Sequence, residues 1–422
     1  MTEPTLSLDA PEAGAQPASP RPPRRLAVAI ALAVACWIGP LIAGGSVLLP
    51  ARLEVLAPAN KVTLLSTIAA VAAVVALVMN LVFGALSDRT RGRLGRRTPW
   101  MLLGSIGCAV GLLICGFAPN VATLIIGWLV FQLFVNAIIA GLIAVVPDRV
   151  PTAHQGSYSA VYGVSLMAGA GVGTAAAGAF VAHPSAGFFV FAVVVLLAGP
   201  VMAVLAPDRP STDLPPSPLT TKTLFASFSF PTKGARDFYL AGAGKFLFVI
   251  AAYSVSGFQL YILTDFIGLA KADAGGIISI TALINLVLGL LFGSISGPVS
   301  DRLGRRKVLV MGAAIVVAGG MVILAVFQSV PALFTYTVIG GIGLAVFNSV
   351  DQALNYEVLP SSASSAKDLG VLNVANTGGQ IVGPAIAGGA IATGLGYGGL
   401  LYCLAGALVL SALVLAPIKK AR

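Results

Sequence analysis

Apolar residues fill this chain in long blocks separated by short polar segments. The blocks cover residues 26–49, 61–86, 100–118, 121–147, 157–182 and 185–206, then 238–263, 274–297, 308–327, 331–356, 370–394 and 396–416. Each is close to or above the about 20 residues that a helix needs to cross a bilayer, whereas a spanning strand needs only about ten. The pattern predicts an all-α integral membrane protein with 12 transmembrane helices in two six-helix bundles, 26–206 and 237–422, the second ending in a short basic tail. Residues 207–236, polar and proline-containing, are expected to form a cytoplasmic linker. Residues 1–25 lack apolar periodicity and are expected to be a disordered cytoplasmic tail. The run that begins at Leu26 is too long for a signal-peptide core and is read as an uncleaved first helix.

Composition agrees with a bilayer. Hydrophobic residues make up 57% of the 422 and charged ones only 9%, where a soluble domain carries about a quarter. The net charge of +10 does not point to nucleic acid, because the basic residues sit in short loops rather than on one solvated face. Of the 25 Lys and Arg, all but Arg52, Lys61, Lys271 and Lys245 fall on one side of the predicted membrane. Basic loops are retained in the cytoplasm, so both termini are expected there and the protein is expected in the cell membrane. Cys36, Cys108, Cys115 and Cys403 all lie in apolar spans and read as packing residues. His154 and His183 fall on opposite sides, and the chain has no HExxH or paired-carboxylate motif. No enzyme, cofactor or metal site is therefore expected, and nothing requires more than a monomer.

The two halves repeat. GALSDRTRGRLGRRTPW, Gly84–Trp100, places five arginines and one aspartate between spans two and three, and GPVSDRLGRRK, Gly297–Lys307, stands at the same place in the second half. Gly84 and Asp88 match Gly297 and Asp301 at an offset of 213, and Arg89 matches Arg302 with them. Gly95, Arg96 and Arg97 match Gly304, Arg305 and Arg306 at an offset of 209, which also pairs Asp148 with Glu357 at the ends of spans four and ten. A duplicated membrane unit of this kind is how many secondary transporters are built.

These loops resemble the signature of the major facilitator superfamily, G-x-x-x-D-R followed by a glycine with basic residues. In finer detail Asp88, Thr90, Gly95, Arg96, Arg97, Pro99 and Trp100 resemble the glycoside and sugar cation symporters, including the sucrose-carrier branch, and DLGVLNVANTGGQ, Asp368–Gln380, resembles the eleventh helix of that group. The resemblance implies a rocker-switch carrier with its pathway between the halves. It also implies a cytoplasmic gate in which Asp88 and its basic neighbours act as a latch. Gly84 would allow close helix approach there, and the Asp88 carboxylate could accept hydrogen bonds.

Charges inside a bilayer are costly and usually face a cavity or a partner. Two lie clearly within spans, Lys245 and Asp351, each about 9–12 Å in from the cytoplasmic end at ~1.5 Å rise per residue, and so able to pair. A transport reading has Asp351 exchanging a proton, or the pair releasing when solute binds; the alternative is a static pair that fixes helix packing. Helical spacing aligns Asn348, Asp351, Gln352 and Asn355 on span ten and Asn373, Asn376 and Gln380 on span eleven. Lys245, Ser256 and Gln259 align on span seven, Gln132 and Asn136 on span four, and Tyr158, Tyr162 and Ser165 on span five. Amides and hydroxyls can serve sugar hydroxyls or hold helices together. Trp37 could stack on a sugar face or fill space.

The expected function is alternating-access transport of a small solute, proton-coupled and sugar- or glycoside-like. The alternative is proton-linked export of a small amphiphilic compound or drug. Spans one to six hold no acidic residue in this reading, since Asp88 and Asp148 stand at loop edges. That disfavours a sodium site in the first half and leaves Asp351 as the proton candidate.

Overall fold

The computed structural model describes residues 23–212, 235–359 and 365–419, with the side chains of 365–370, 373 and 381 also outside the description. The expected tail before Pro23 and the linker between 213 and 234 thus lie outside the described residues. Helices make up nearly all of the described chain, and no strand occurs among the described residues. We number them α1 (Arg24–Leu56), α2 (Lys61–Arg89), α3 (Thr98–Phe117), α4 (Val121–Arg149), α5 (Thr152–Gly178) and α6 (Pro184–Leu205). They continue as α7 (Arg236–Gly257), α8 (Lys271–Leu303), α9 (Arg306–Phe327), α10 (Val330–Glu357), α11 (Ser365–Ala392) and α12 (Gly396–Leu415). Among the described residues eleven are long and apolar enough to cross a membrane. The remaining helix is α11, whose central turns carry Asn376, Thr377 and Gln380 in place of apolar residues.

Local chemistry sets the helix ends. The Asn120 side chain accepts from Thr123 N at 2.9 Å to start α4, and Ser329 accepts from Ala332 N at 3.4 Å to start α10. Gly95 (φ 79°) and Gly304 (φ 58°), equivalent in the repeat, both take the left-handed conformation that turns the chain between α2 and α3 and between α8 and α9. A side chain at either would be strained, and at Gly95 its Cβ would also collide with Asp208.

One boundary moves the chemistry. Helix α1 contains a π-helical turn, Gly44–Leu48, and then continues to Leu56 instead of ending at 49. The wider turn re-registers the helix, and its glycines leave room for the ring of Trp128: a Cβ at Gly44 would lie 2.8 Å from that ring. Glu54, expected in a loop, is therefore helical and stands in the last turn of α1, at the edge of the span as Asp88 and Asp148 are at theirs.

Helices α1–α6 pack chiefly on one another, as do α7–α12, and the two sets meet where α2 crosses α11 and α5 crosses α8. Small residues permit these crossings. A Cβ on Gly178 would collide with the Gly275 carbonyl oxygen, and Ser279 Oγ donates to Ala175 O at 2.7 Å. On the other side, a Cβ on Gly388 would overlap Ser66 Oγ. Both contacts lie at the end of the molecule away from the arginine loops.

Candidate functional site

Between the two sets lies a cavity of about 290 Å³, walled by α1, α2 and α4 on one side and α7 and α11 on the other. Its polar groups are amides and hydroxyls, and none of the described residues lining it is charged. Gln132, Asn136 and Gln380, predicted from helical spacing, all reach it. Asn136 donates to Gln132 O at 2.7 Å and lies 3.4 Å from Asn80, whereas Gln132 and Gln380 make no described side-chain hydrogen bond. Ser46, Tyr253, Ser256 and Thr377 complete the polar wall, and Trp128 contributes an aromatic one, stacked on Phe131 at 5.1 Å between ring centroids.

Trp128 takes the position considered for Trp37. The latter is buried away from the cavity walls, with its indole nitrogen unpartnered. Spacing alone did not separate the two tryptophans, because each lies on an apolar helix; the glycines of the π-helical turn, which face the Trp128 ring, were the only sequence signal.

Lys245 and Asp351 form a buried ion pair, Nζ to Oδ2 at 2.7 Å, and Asn355 Nδ2 donates to the same oxygen at 2.9 Å. One turn further in along each helix, Phe248 and Phe347 stack with centroids 3.5 Å apart and planes 3° from parallel. The pair does not line the cavity. The predicted face of α10 divides: Asp351 and Asn355 are buried, while Asn348 and Gln352 are exposed. The face predicted on α7 also divides, since the helix ends at Gly257: Ser256 meets the central cavity, and Gln259 turns to donate to Thr281 Oγ1 at 2.9 Å. Asn376 is half-buried outside the cavity wall, and Asn373 falls outside the described side chains. On α5, Ser165 Oγ donates to Val161 O at 2.7 Å, and Tyr158 OH lies 3.3 Å from Pro23 O, so neither joins the cavity.

At the arginine-loop end the repeat becomes geometry. Arg97 bridges Asp88 at 2.7 Å and Asp148 at 2.9 Å; Arg306, its repeat equivalent, bridges Asp301 at 2.6 Å and Glu357 at 2.9 Å. Arg96 adds a second contact to Asp148 at 2.5 Å, while Arg89, Arg302 and Arg305 stand exposed outside the triads. Asp208, which the sequence pattern did not single out, accepts from Arg97 N at 3.2 Å. These ion pairs all stay within one helix set. Gly84 has no neighbour within 4 Å of its Cβ position, so the close approach expected there is not made in this conformation, although Phe83 beside it packs against Trp100 at 5.6 Å between ring centroids.

The opposite end is sealed across the sets. Tyr261 OH donates to Pro50 O at 3.0 Å. Lys61 pairs with Asp265 at 2.7 Å and sits over the Tyr261 ring at 4.6 Å. Tyr397 OH also donates to Asp265, at 3.0 Å, and Glu54 lies 3.6 Å from both Lys61 and Lys271. Sequence reading gave these residues no joint role because they stand at helix ends far apart in the chain, and hydropathy does not record which ends meet.

The sequence profile of the Major Facilitator Superfamily matches residues 42–296 and 243–422. The arabinose-proton symporter of Bacillus subtilis (strain 168) is 34% identical over 120 residues, 28% of this chain. The match spans 25% of that symporter's length. Among solved structures, the nucleoside transporter NupG, as a single-site mutant, superposes with a TM-score of 0.75 at 13% identity, covering 93% of this chain and 99% of that one. A POT family transporter bound to 5-aminolevulinic acid gives 0.71 at 14% identity, covering 93% and 96%. The human organic anion transporter MFSD10 (TETRAN) gives 0.66 at 16% identity, covering 95% and 100%. At these identities the likeness is one of fold.

Proposed function

Because this chain belongs to the Major Facilitator Superfamily and is a multi-pass transporter of that superfamily, we propose that it carries an uncharged sugar- or glycoside-like solute by alternating access, coupled to protons. The observation that carries this reading is the central cavity, closed at one end, whose described walls offer amides, hydroxyls and a tryptophan but no charge. Such a lining suits hydroxyl-rich neutral solutes with an apolar face, and it would leave an organic ion without a counter-charge. The partial match to a proton-coupled arabinose symporter agrees with it.

In this proposal α1–α6 and α7–α12 are two six-helix bundles and all twelve helices span the cell membrane. The positive-inside rule places the arginine loops and both termini in the cytoplasm. The seal at Pro50, Lys61 and Asp265 then faces outward, and the conformation is the inward-facing one. The Asp88–Arg97–Asp148 and Asp301–Arg306–Glu357 triads would meet across the bundles when that seal opens, and a monomer suffices for the cycle. Asp351 is the proposed proton carrier. Since it is held by Lys245 and Asn355 away from the cavity, its protonation would act on solute by loosening the α7–α10 contact rather than by touching it.

Reconstituted in liposomes with an internal pH reporter, the protein is expected to move protons when a transported sugar or glycoside is added, and Asp351→Asn to abolish this. Solute uptake without proton movement, unchanged in Asp351→Asn, would make Asp351 structural. The apolar share of the cavity wall, with Leu41, Ile42 and Leu65, favours one second reading, export of a small neutral amphiphile, and a response to such compounds alone would select it.

A further inference from the structure

The site of Asp351 holds one polar atom that the ion pair does not use. Asn355 is 1% exposed, beside Asp351 at 4% and Lys245 at 7%. Its Nδ2 donates to Asp351 Oδ2, yet its Oδ1 is buried with no described hydrogen-bond partner. A buried acceptor without a donor is costly, so its place beside a titratable group calls for a reason. The charged surroundings are few. On α7 Lys245 meets Asp351, and Asp237, nearer the helix start, accepts from Lys419 N at 3.0 Å. Arg306 of α9 reaches the Ala353 carbonyl at 3.3 Å and Glu357 at 2.9 Å, and Asp301 of α8 pairs with Arg306. Residues 371–392 of α11 carry no charge. Among the described ion pairs, Lys245 alone meets Asp351.

An ionised carboxylate only accepts hydrogen bonds, whereas a protonated one carries an O–H donor, and an amide can meet either, through its nitrogen or its oxygen. We propose that Asn355 is a two-way positioning residue of the proton site: Nδ2 holds Asp351 when it is ionised, and Oδ1 accepts its O–H when it is protonated. In this step a hydronium ion gives its proton to Asp351 Oδ2 and leaves as water, one O–H bond forms, and the carboxylate becomes a neutral acid. Asn355 turns about its Cβ–Cγ bond to receive it. Oδ1 has no described bond to lose in turning, and the contact from Nδ2 is replaced by the one to Oδ1. Asp351 and Asn355 stand four residues apart on α10, so their contact stays within one helix in both states. What the proton removes is the counter-charge of Lys245, in an ion pair that joins α7 to α10. The proposal rests on the reading of Asp351 as the proton carrier and deepens it, because the amide confines the effect of the proton to the contact between two helices.

The test is infrared difference spectroscopy of the purified full chain as pH is lowered, on wild type, Asp351→Asn and Asn355→Leu, a change close to isosteric. Wild type is expected to gain a carboxylic-acid carbonyl band that is missing from Asp351→Asn and so belongs to Asp351. In Asn355→Leu that band is expected at higher frequency, as for an acid whose O–H has lost its acceptor; a role in packing alone would not move it. If Asn355→Leu does not fold, the smaller Asn355→Ala carries the same expectation. A band at the wild-type position in the variant would overturn the role of the amide and leave Asp351 standing as the proton carrier. If no band of wild type is lost in Asp351→Asn, the proton-carrier reading is itself overturned.

Discussion

Lys245 and Asp351 can be buried together because each neutralises the other and Asn355 satisfies Asp351 further. Removing one partner strands the other charge. Lys245→Met is expected to cost about 3–5 kcal/mol, read as a lowered unfolding temperature in detergent, with Lys245→Met/Asp351→Leu recovering most of it. A double variant no more stable than the single one would show that the charge of Asp351 is not the source of the loss. Helical arithmetic from the sequence put these two residues at one depth, and the packing of α7 beside α10 brings them to 2.7 Å. The same arithmetic put Asn348 and Gln352 beside them, yet those are exposed, because periodicity defines a face of α10 and only its neighbours decide how much of that face is covered. At Gly44 a methyl group is expected to push Trp128 aside. Gly44→Ala should shift tryptophan emission and weaken solute binding, whereas unchanged emission would place the ring elsewhere.

Among the elements, α5 and α8 meet at a close backbone contact between the sets, where Gly178 faces the Gly275 carbonyl. Gly178→Val would insert a branched side chain into that contact and wedge open the sealed end. With Leu260→Cys introduced as a reporter at the seal in a cysteine-free background, maleimide labelling is expected to rise several-fold on adding Gly178→Val. Unaltered labelling would mean that the seal does not depend on this crossing. The helices themselves were legible as apolar blocks, since a bilayer imposes a minimum length on any spanning segment. Their ends were less so. The π-helical turn carries α1 on to Leu56, and a local backbone choice of this kind leaves no mark in hydropathy.

Across the whole molecule, polar bonds between the sets gather at the sealed end, while the described ion pairs at the arginine-loop end close within each set. Weakening the seal should therefore shift the population toward the other conformation. Lys61→Ala/Asp265→Ala is expected to lengthen spin-label distances across the sealed end and shorten them across the arginine-loop end, and distances that change at one end only would count against a rigid rocking of two bundles.

By itself the sequence determined the membrane class, the apolar helices though not their ends, and the spacing that pairs Arg97 with Arg306, because these depend on local hydropathy and on the spacing of residues along one chain. Only the tertiary structure decided that Gln132, Asn136 and Gln380 share a cavity with Trp128, that Lys245 and Asp351 stand outside it, and that Glu54, Lys61 and Asp265 gather at the sealed end. Each of these joins residues far apart in the chain, and their meeting depends on how whole helices cross, which no local pattern records.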